Sequence, residues 1–228
     1  PALTGVEVYA PEASSAVVIG DSTLANDIPI LLAEKLQNAG ITNVGILQQA
    51  IKGNRLLDDG AGILGMAYGE AMVDRFERDA LNQPGVERIF LKVGVNDVVH
   101  PNCESLKDEA RAVTAEEMIA GYKQLIEQAH ERGIEVYLFT RTAWKGYTRN
   151  VLGSDDVQWT PEIDQMRQDI NAWIRSSDNP ADGYIDLDFM CTDETASELK
   201  SEYTTDGAHF TALGQQTVVD AVPLEYFQ

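Results

Sequence analysis

Short apolar runs alternate along the chain with stretches in which apolar residues recur at helical intervals. Ala16 to Gly20 is such a run and enters a Gly-Asp-Ser turn, after which Ile28 to Ala39 carries the spacing of an amphipathic helix. A second strand near Val44 to Leu47 precedes a helix near Ala67 to Leu81, and a third, Glu87 to Val93, precedes a loop around Asn96 to Asp108. Thr114 with Glu117 three residues on is a capping box that opens a helix through His130. Gly133 stops it, and Ile134 to Thr140 reads as a fourth strand. Thr160 as N-cap with Pro161 at the first helical position opens a helix to about Arg175, Tyr184 to Leu187 is a short fifth strand, and Thr211 opens a last helix toward Val222.

Five strands that alternate with helices and are apolar along most of their length predict a parallel sheet covered on both faces, an α/β three-layer arrangement. In such sheets the ligand crevice lies at the carboxyl ends of the strands. A length of 228 residues suits one domain with a substantial core. There is no internal repeat or low-complexity tract, and Ala143 to Trp159 is the one long loop candidate, the kind of segment that often shapes a binding site.

Composition narrows the function classes. With 44% hydrophobic and 24% charged residues the chain has the makeup of a soluble globular protein, and no apolar run approaches the roughly 20 residues that span a bilayer. The 37 acidic against 17 basic side chains give a net charge of −20, which repels nucleic acid and anionic membrane surfaces and favours neutral or cationic substrates. Cys103 and Cys191 are too few for a disulfide framework and are not spaced as a zinc site; whether they pair is open. The chain begins at Pro1 with no charged-then-apolar leader, as expected if a signal or upstream domain has been removed, and localisation stays open.

Ser22 follows Gly20-Asp21 at the carboxyl end of the first strand, where glycine permits a sharp turn and the next helix offers N–H groups; a serine helix cap is the plainer reading of the tripeptide alone. Asp206-Gly207-Ala208-His209 brings an acid beside an imidazole on the loop before the last helix, on the same sheet edge as Ser22. The chain has three histidines. His130 falls at an exposed helix end and His100 on the loop after the third strand, as a rim residue, which leaves His209 as the expected base. Gly53 after the second strand and Asn96 after the third could present a backbone N–H and a side-chain amide to a developing oxyanion, though each alone could be an ordinary turn.

These four blocks, in this order from about Val17 to Gly214, resemble the SGNH hydrolases, also called the GDSL-like lipase/acylhydrolase family. The resemblance implies a flavodoxin-like α/β/α sandwich with a five-stranded parallel sheet and a triad of Ser22, Asp206 and His209. It implies an oxyanion hole of the Ser22 backbone, Gly53 and Asn96, and no metal or organic cofactor. The segments Lys52-Gly53-Asn54-Arg55-Leu56-Leu57, Arg75-Phe76-Glu77-Arg78-Asp79 and Asn171-Ala172-Trp173-Ile174-Arg175 look like the branch that contains xylan and other carbohydrate esterases. Two features depart from that branch: Lys52 stands where serine is usual, and Thr23 to Ile30 is shorter and more apolar.

The expected function is a serine esterase that hydrolyses short acyl esters, acetyl above all, on a carbohydrate or similar polar alcohol. The candidate substrate contacts are Asp21, Asn54, Ile63, Leu64, Arg141 and Trp144, where the apolar Gly60 to Gly69 stretch either walls an acyl pocket or packs on the core. Lipase, thioesterase or acyltransferase activity on the same residues, and a non-catalytic carbohydrate-binding protein on the same scaffold, remain the alternatives. The expected partners are a small acyl ester or an acylated carbohydrate, without nucleic acid or a membrane span, and the oligomeric state stays open.

Overall fold

The apolar runs are apolar throughout because alternate side chains serve two separate cores. The computed structural model describes residues 8–62, 64–103, 106, 109–151 and 154–228. Its elements, in chain order, begin with β1 (Ser14–Gly20), α1 (Ile28–Asn38), β2 (Val44–Gln48), α2 (Gly65–Tyr68) and α3 (Met72–Phe76), which runs on into a π-type turn at Glu77–Leu81. There follow β3 (Val86–Lys92), α4 (Val95–Val99), α5 (Ala115–His130) and β4 (Glu135–Phe139). The last part holds β5 (Thr148–Val151), β6 (Ser154–Val157), α6 (Pro161–Ile174), β7 (Gly183–Ile185), α7 (Leu187–Cys191) and α8 (Ala212–Ala221). The main sheet has the order β2-β1-β3-β4-β7, and every neighbouring pair in it is parallel.

Val17 and Ile19 of β1, Ile89 and Leu91 of β3, and Val136 and Leu138 of β4 point to one face, where they meet Met118, Tyr122, Leu125 and Ile126 of α5 and Ile170, Trp173 and Ile174 of α6. The intervening Ala16, Val18, Phe90, Tyr137 and Phe139 point to the other, against Leu32 and Leu36 of α1 and Val218 and Val219 of α8. The caps read from the sequence hold these helices: Thr114 and Glu117 form the full capping box of α5, and the Thr160 and Thr211 hydroxyls accept from the N–H groups of Ile163 and Gly214. No helix among the described residues is long and apolar enough to cross a membrane.

Three segments differ from the sequence reading. The helix expected over Ala67 to Leu81 is broken at Gly69–Ala71, because the Ala71 N–H donates to Asp59 Oδ1 and those of Met72 and Val73 to the carbonyls of Arg55 and Leu56. Those donors belong to the preceding loop, so α3 starts afresh. The loop after β3 begins with a helical turn, α4, and the long loop from Ala143 carries an antiparallel hairpin, β5 with β6. His100, expected at a rim, is fully buried with its ring 5.3 Å from that of Tyr68. Cys103 and Cys191 lie in different clusters and are not joined to each other.

Asp97 of α4 fastens the loop after β2 to this edge of the sheet, its carboxylate accepting from the N–H groups of Leu56 (2.8 Å) and Leu57 (3.0 Å). Burial pushes its pKa up to about 6, against the lowering pull of those two N–H groups and of the Arg55 and Arg141 charges. This folded-state value lies above the ordinary 3.8, so the folded protein holds the proton more tightly than the unfolded chain. The stability contributed by that proton is complete below about pH 4 and is lost as pH rises through about 6. Thermal unfolding of the wild type and of Asp97→Asn should therefore diverge between pH 4 and 7, the wild type losing ground relative to the variant as pH rises. A difference in Tm that stays constant over this range would contradict the raised value.

Candidate active site

The turn that carries Ser22 is set by close backbone packing. A side chain at Gly20 would meet the Lys92 carbonyl oxygen at 2.1 Å, so only glycine lets the end of β1 lie this close to the end of β3. The Asp21 N–H donates to that same carbonyl, and the Gly20 carbonyl accepts from Ile51. Below the turn, Asp21 Oδ1 accepts from the Thr23 N–H (2.9 Å) and Thr23 hydroxyl (2.6 Å), and the Lys92 ammonium donates to Thr23 Oγ1 (2.9 Å). Asp21, Thr23 and Lys92 are all buried, whereas Ser22 is only half-buried.

On the same edge the loop before α8 presents the imidazole. His209 Nε2 lies 2.9 Å from Ser22 Oγ, across 187 positions of chain, and His209 Nδ1 lies 2.7 Å from Asp206 Oδ2. The other carboxylate oxygen of Asp206 accepts from the N–H groups of Ala208 and His209. Partial burial pushes the Asp206 carboxyl up, but those N–H groups and the His209 ring outweigh it and leave its pKa below the ordinary value. Asp206 therefore stays charged where it faces the ring. Gly207, at φ +90°, makes the turn between them, and a side chain there would press on the backbone of Tyr147. The Tyr147 ring stands edge-on to His209, with centroids 5.7 Å apart.

Gly53 and Asn96 border the same space. Gly53, at φ +82°, packs its bare backbone against the Tyr68 ring, where a Cβ would come within 2.1 Å of a ring carbon. Asn96 uses one amide hydrogen to reach the Asn54 carbonyl at 3.0 Å, which fixes the orientation of the amide and leaves its second hydrogen for a ligand. Asn54 is itself held by Arg75, whose guanidinium donates to Asn54 Oδ1 from Nε and Nη2, to the Gln49 carbonyl and to Asp79. Asn54 Nδ2 is spent on the carbonyls of Tyr68 and Glu70.

A cavity of about 250 Å³ joins Ser22, Gly53, Asn96 and His209, and its wall includes Arg141 and Trp144. The six candidate substrate contacts thus divide. Arg141 and Trp144 line the cavity, whereas Asp21 and Asn54 are buried, do not line it, and turn their side chains to the partners above. Leu64 is 43% exposed and not part of the wall, and Ile63 lies outside the described residues. The wall also holds Tyr68, from the Gly60 to Gly69 stretch expected either to wall an acyl pocket or to pack on the core, together with Lys52, Lys92, Val93, Val95, Val99 and Tyr147, none of which was singled out as a contact from the sequence. Lys92 had a legible signal, a cation that ends an otherwise apolar buried strand. Tyr147 had none, since loop conformation alone brings it in.

Ser22, an imidazole flanked by a carboxylate, Gly53 and Asn96 thus border one cavity, the residue types that acyl transfer calls for. A sequence model of the GDSL-like lipase/acylhydrolase family matches residues 16–217. A search of curated protein sequences gives no match. Among solved structures, the chain is similar to the acetyl xylan esterase AlAXEase, with TM-score 0.64 and 21% identity over 91% of this chain and 96% of that one. It is also similar to a variant acetyl xylan esterase from Geobacillus stearothermophilus, with TM-score 0.64 and 15% identity over 92% and 93%. A GDSL-like lipase from Bacteroides thetaiotaomicron VPI-5482 matches with TM-score 0.62 and 16% identity over 95% and 89%. The fold is shared with these proteins, and with 202 of its 228 residues inside the family match, the chain belongs to the GDSL-like lipase/acylhydrolase family of ester hydrolases.

Proposed function

We propose that the protein is a serine esterase that removes short acyl groups, acetyl above all, from a carbohydrate or similar polar alcohol through an acyl-enzyme. The observation that carries this reading is the 2.9 Å approach of Ser22 Oγ to His209 Nε2, with Asp206 on the other ring nitrogen, at the wall of a cavity shared with Gly53 and Asn96. His209 takes the Ser22 proton as Oγ attacks the ester carbonyl, and Asp206 holds the ring and stabilises the imidazolium. The oxyanion that forms is met by the N–H groups of Ser22 and Gly53 and the Asn96 amide. His209 then gives the proton to the departing alcohol oxygen, and the C–O bond breaks to leave the acyl group on Ser22. A water, deprotonated by His209, attacks that ester; the bond from the acyl carbon to Ser22 Oγ breaks, His209 returns the proton to Oγ, and the carboxylic acid leaves.

A cavity of about 250 Å³ is small beside the roughly 300–1,000 Å³ of sites for drug-sized ligands, which suits a short acyl group. Val93, Val95, Val99 and Trp144 supply an apolar part of its wall for that group. The similarity to acetyl xylan esterases points the same way, as does the net charge of −20, which disfavours adsorption to anionic lipid surfaces.

Ser22→Ala and His209→Ala should each remove nearly all turnover of an aryl acetate, and Asp206→Asn should lower kcat by about 10³- to 10⁴-fold, with folding monitored by circular dichroism. Asn96→Ala should lower kcat by about 10²- to 10³-fold with little change in KM, since its bond to the oxyanion strengthens in the transition state. Near wild-type turnover in the Ser22 or His209 variant would overturn the assignment, and an effect of Asn96→Ala confined to KM would make it a ground-state contact instead. Across p-nitrophenyl acetate, butyrate and octanoate, kcat/KM should fall with chain length, and acetate should be released from acetylated xylan. An octanoate preference with no release from the polysaccharide would move the protein to the lipase or thioesterase side, and transfer to an added alcohol in preference to water would make it an acyltransferase.

A further inference from the structure

The catalytic cavity reverses the electrostatics of the rest of the molecule. Acidic side chains outnumber basic ones by 37 to 17 over the whole chain, yet among the described residues the cavity wall contains Lys52, Lys92 and Arg141 and no aspartate or glutamate. The nearby carboxylates do not line the cavity: Asp21 gives Oδ1 to Thr23 and has Oδ2 buried without a hydrogen-bond partner among the described residues, Asp97 accepts from the N–H groups of Leu56 and Leu57, and Asp206 faces His209. We propose that the substrate is an ester that itself bears a carboxylate, held against this cationic wall while Ser22 attacks the ester carbonyl. The proposal rests on the esterase reading and specifies the class of ester.

Arg141 shows what such a wall lacks. Its guanidinium gives Nη2 to the Gly94 carbonyl, but Nε and Nη1, both buried, have no hydrogen-bond partner among the described residues. A guanidinium offers five N–H donors in a planar fork that matches a carboxylate, and donors left unmade in a desolvated place are costly. The side chain is buried and tied to the Gly94 carbonyl, and Asn171 fixes the backbone beneath it, accepting from the Arg141 N–H at 2.7 Å and donating to its carbonyl at 2.8 Å. Lys92, equally buried, donates to Thr23 Oγ1, and an ammonium has three hydrogens to give. Burial lowers the pKa of both Lys92 and Arg141, against the raising pull of Asp21 on both and of Asp97 on Arg141. Lys52, exposed at the mouth, adds a third positive charge on the path of an entering anion.

The carboxylate could sit in the acyl portion, as in a half-ester of a dicarboxylic acid, or in the alcohol portion, as in an acylated sugar acid. Two substrate pairs separate these sources: phenyl hydrogen glutarate against phenyl hexanoate for the acyl side, and 4-acetoxybenzoate against its methyl ester for the alcohol side. In each pair the readout is the anionic-to-neutral ratio of kcat/KM in the wild type and in Lys52→Met and Arg141→Met. At least one pair should favour the anion in the wild type. Arg141→Met should cut that ratio by about tenfold or more, the scale of a lost charged hydrogen bond, and Lys52→Met by about two- to fivefold, the scale of an exposed ion pair. A purely structural role for these cations would lower stability and total activity and leave the ratio unchanged. If Arg141→Met fails to fold, the exposed Lys52 variant decides.

Turnover of the neutral esters with no anion preference in either pair, or a ratio unmoved by the variants, would overturn the proposal and leave the esterase standing. Absence of turnover with every ester would overturn the esterase reading itself, and the proposal with it.

Discussion

The Ser22 hydroxyl and the His209 ring are 187 residues apart in the chain and 2.9 Å apart in space, and that separation is the distance the whole fold has to close. The parallel sheet closes it. With every strand running the same way, the segments after β1, β2 and β3 all emerge at one edge, and they carry Ser22, Gly53 and Asn96 there. The bond is sensitive to the central strands in particular, because β1 lies between β2 and β3 and its last residue, Gly20, rests against the Lys92 carbonyl. The other half of the bond depends on a loop tied by a bridge between Thr204 and Phe210 and by the Asp206 carboxylate folding back onto the N–H groups of its own turn.

Around this contact the protein spends buried charge freely. Arg75 holds Asn54, Asn54 accepts from Asn96, and Asp97 next door pins Leu56 and Leu57, so one polar network fixes both the loop after β2 and the turn after β3. Every group in it is either paired or hydrogen-bonded, which is what burial of polar atoms demands. The cavity-facing cations contrast with it, since the fold does not fully satisfy Arg141. A surface of net charge −20 and a cavity wall of three cations also act over different ranges. The first is screened by salt within about 10 Å, whereas the second acts at contact range.

Features that follow from local chemistry were legible in the sequence. The alternation of apolar runs and helical spacing gave the sheet and its layers. The capping residues Thr114, Thr160 and Thr211 marked helix starts to the residue, because a cap is a hydrogen bond within one turn. Ser22 could be placed on this edge because strand direction decides it, and His209 because Thr211 marks the start of the last helix and so puts the histidine on the loop before it. Contacts between distant segments were not legible. The helix expected over Ala67 to Leu81 breaks because Asp59, Arg55 and Leu56 capture the donors of the residues after Gly69, and no periodicity records that. Asn54, adjacent to Gly53, looked as available to substrate as its neighbour until Arg75 and two carbonyls were seen to occupy its side chain. His100 likewise moves from an expected rim to the interior beside Tyr68.

The assignment turns on whether Ser22 is an activated nucleophile or a serine that caps a turn. A fluorophosphonate forms a covalent adduct only with a serine whose proton an adjacent base can take. Peptide mapping of the labelled protein by mass spectrometry should find the adduct on Ser22, absent in Ser22→Ala and formed far more slowly in His209→Ala. A wild-type protein that stays unlabelled, or that carries the adduct on another residue, would contradict a triad centred on Ser22.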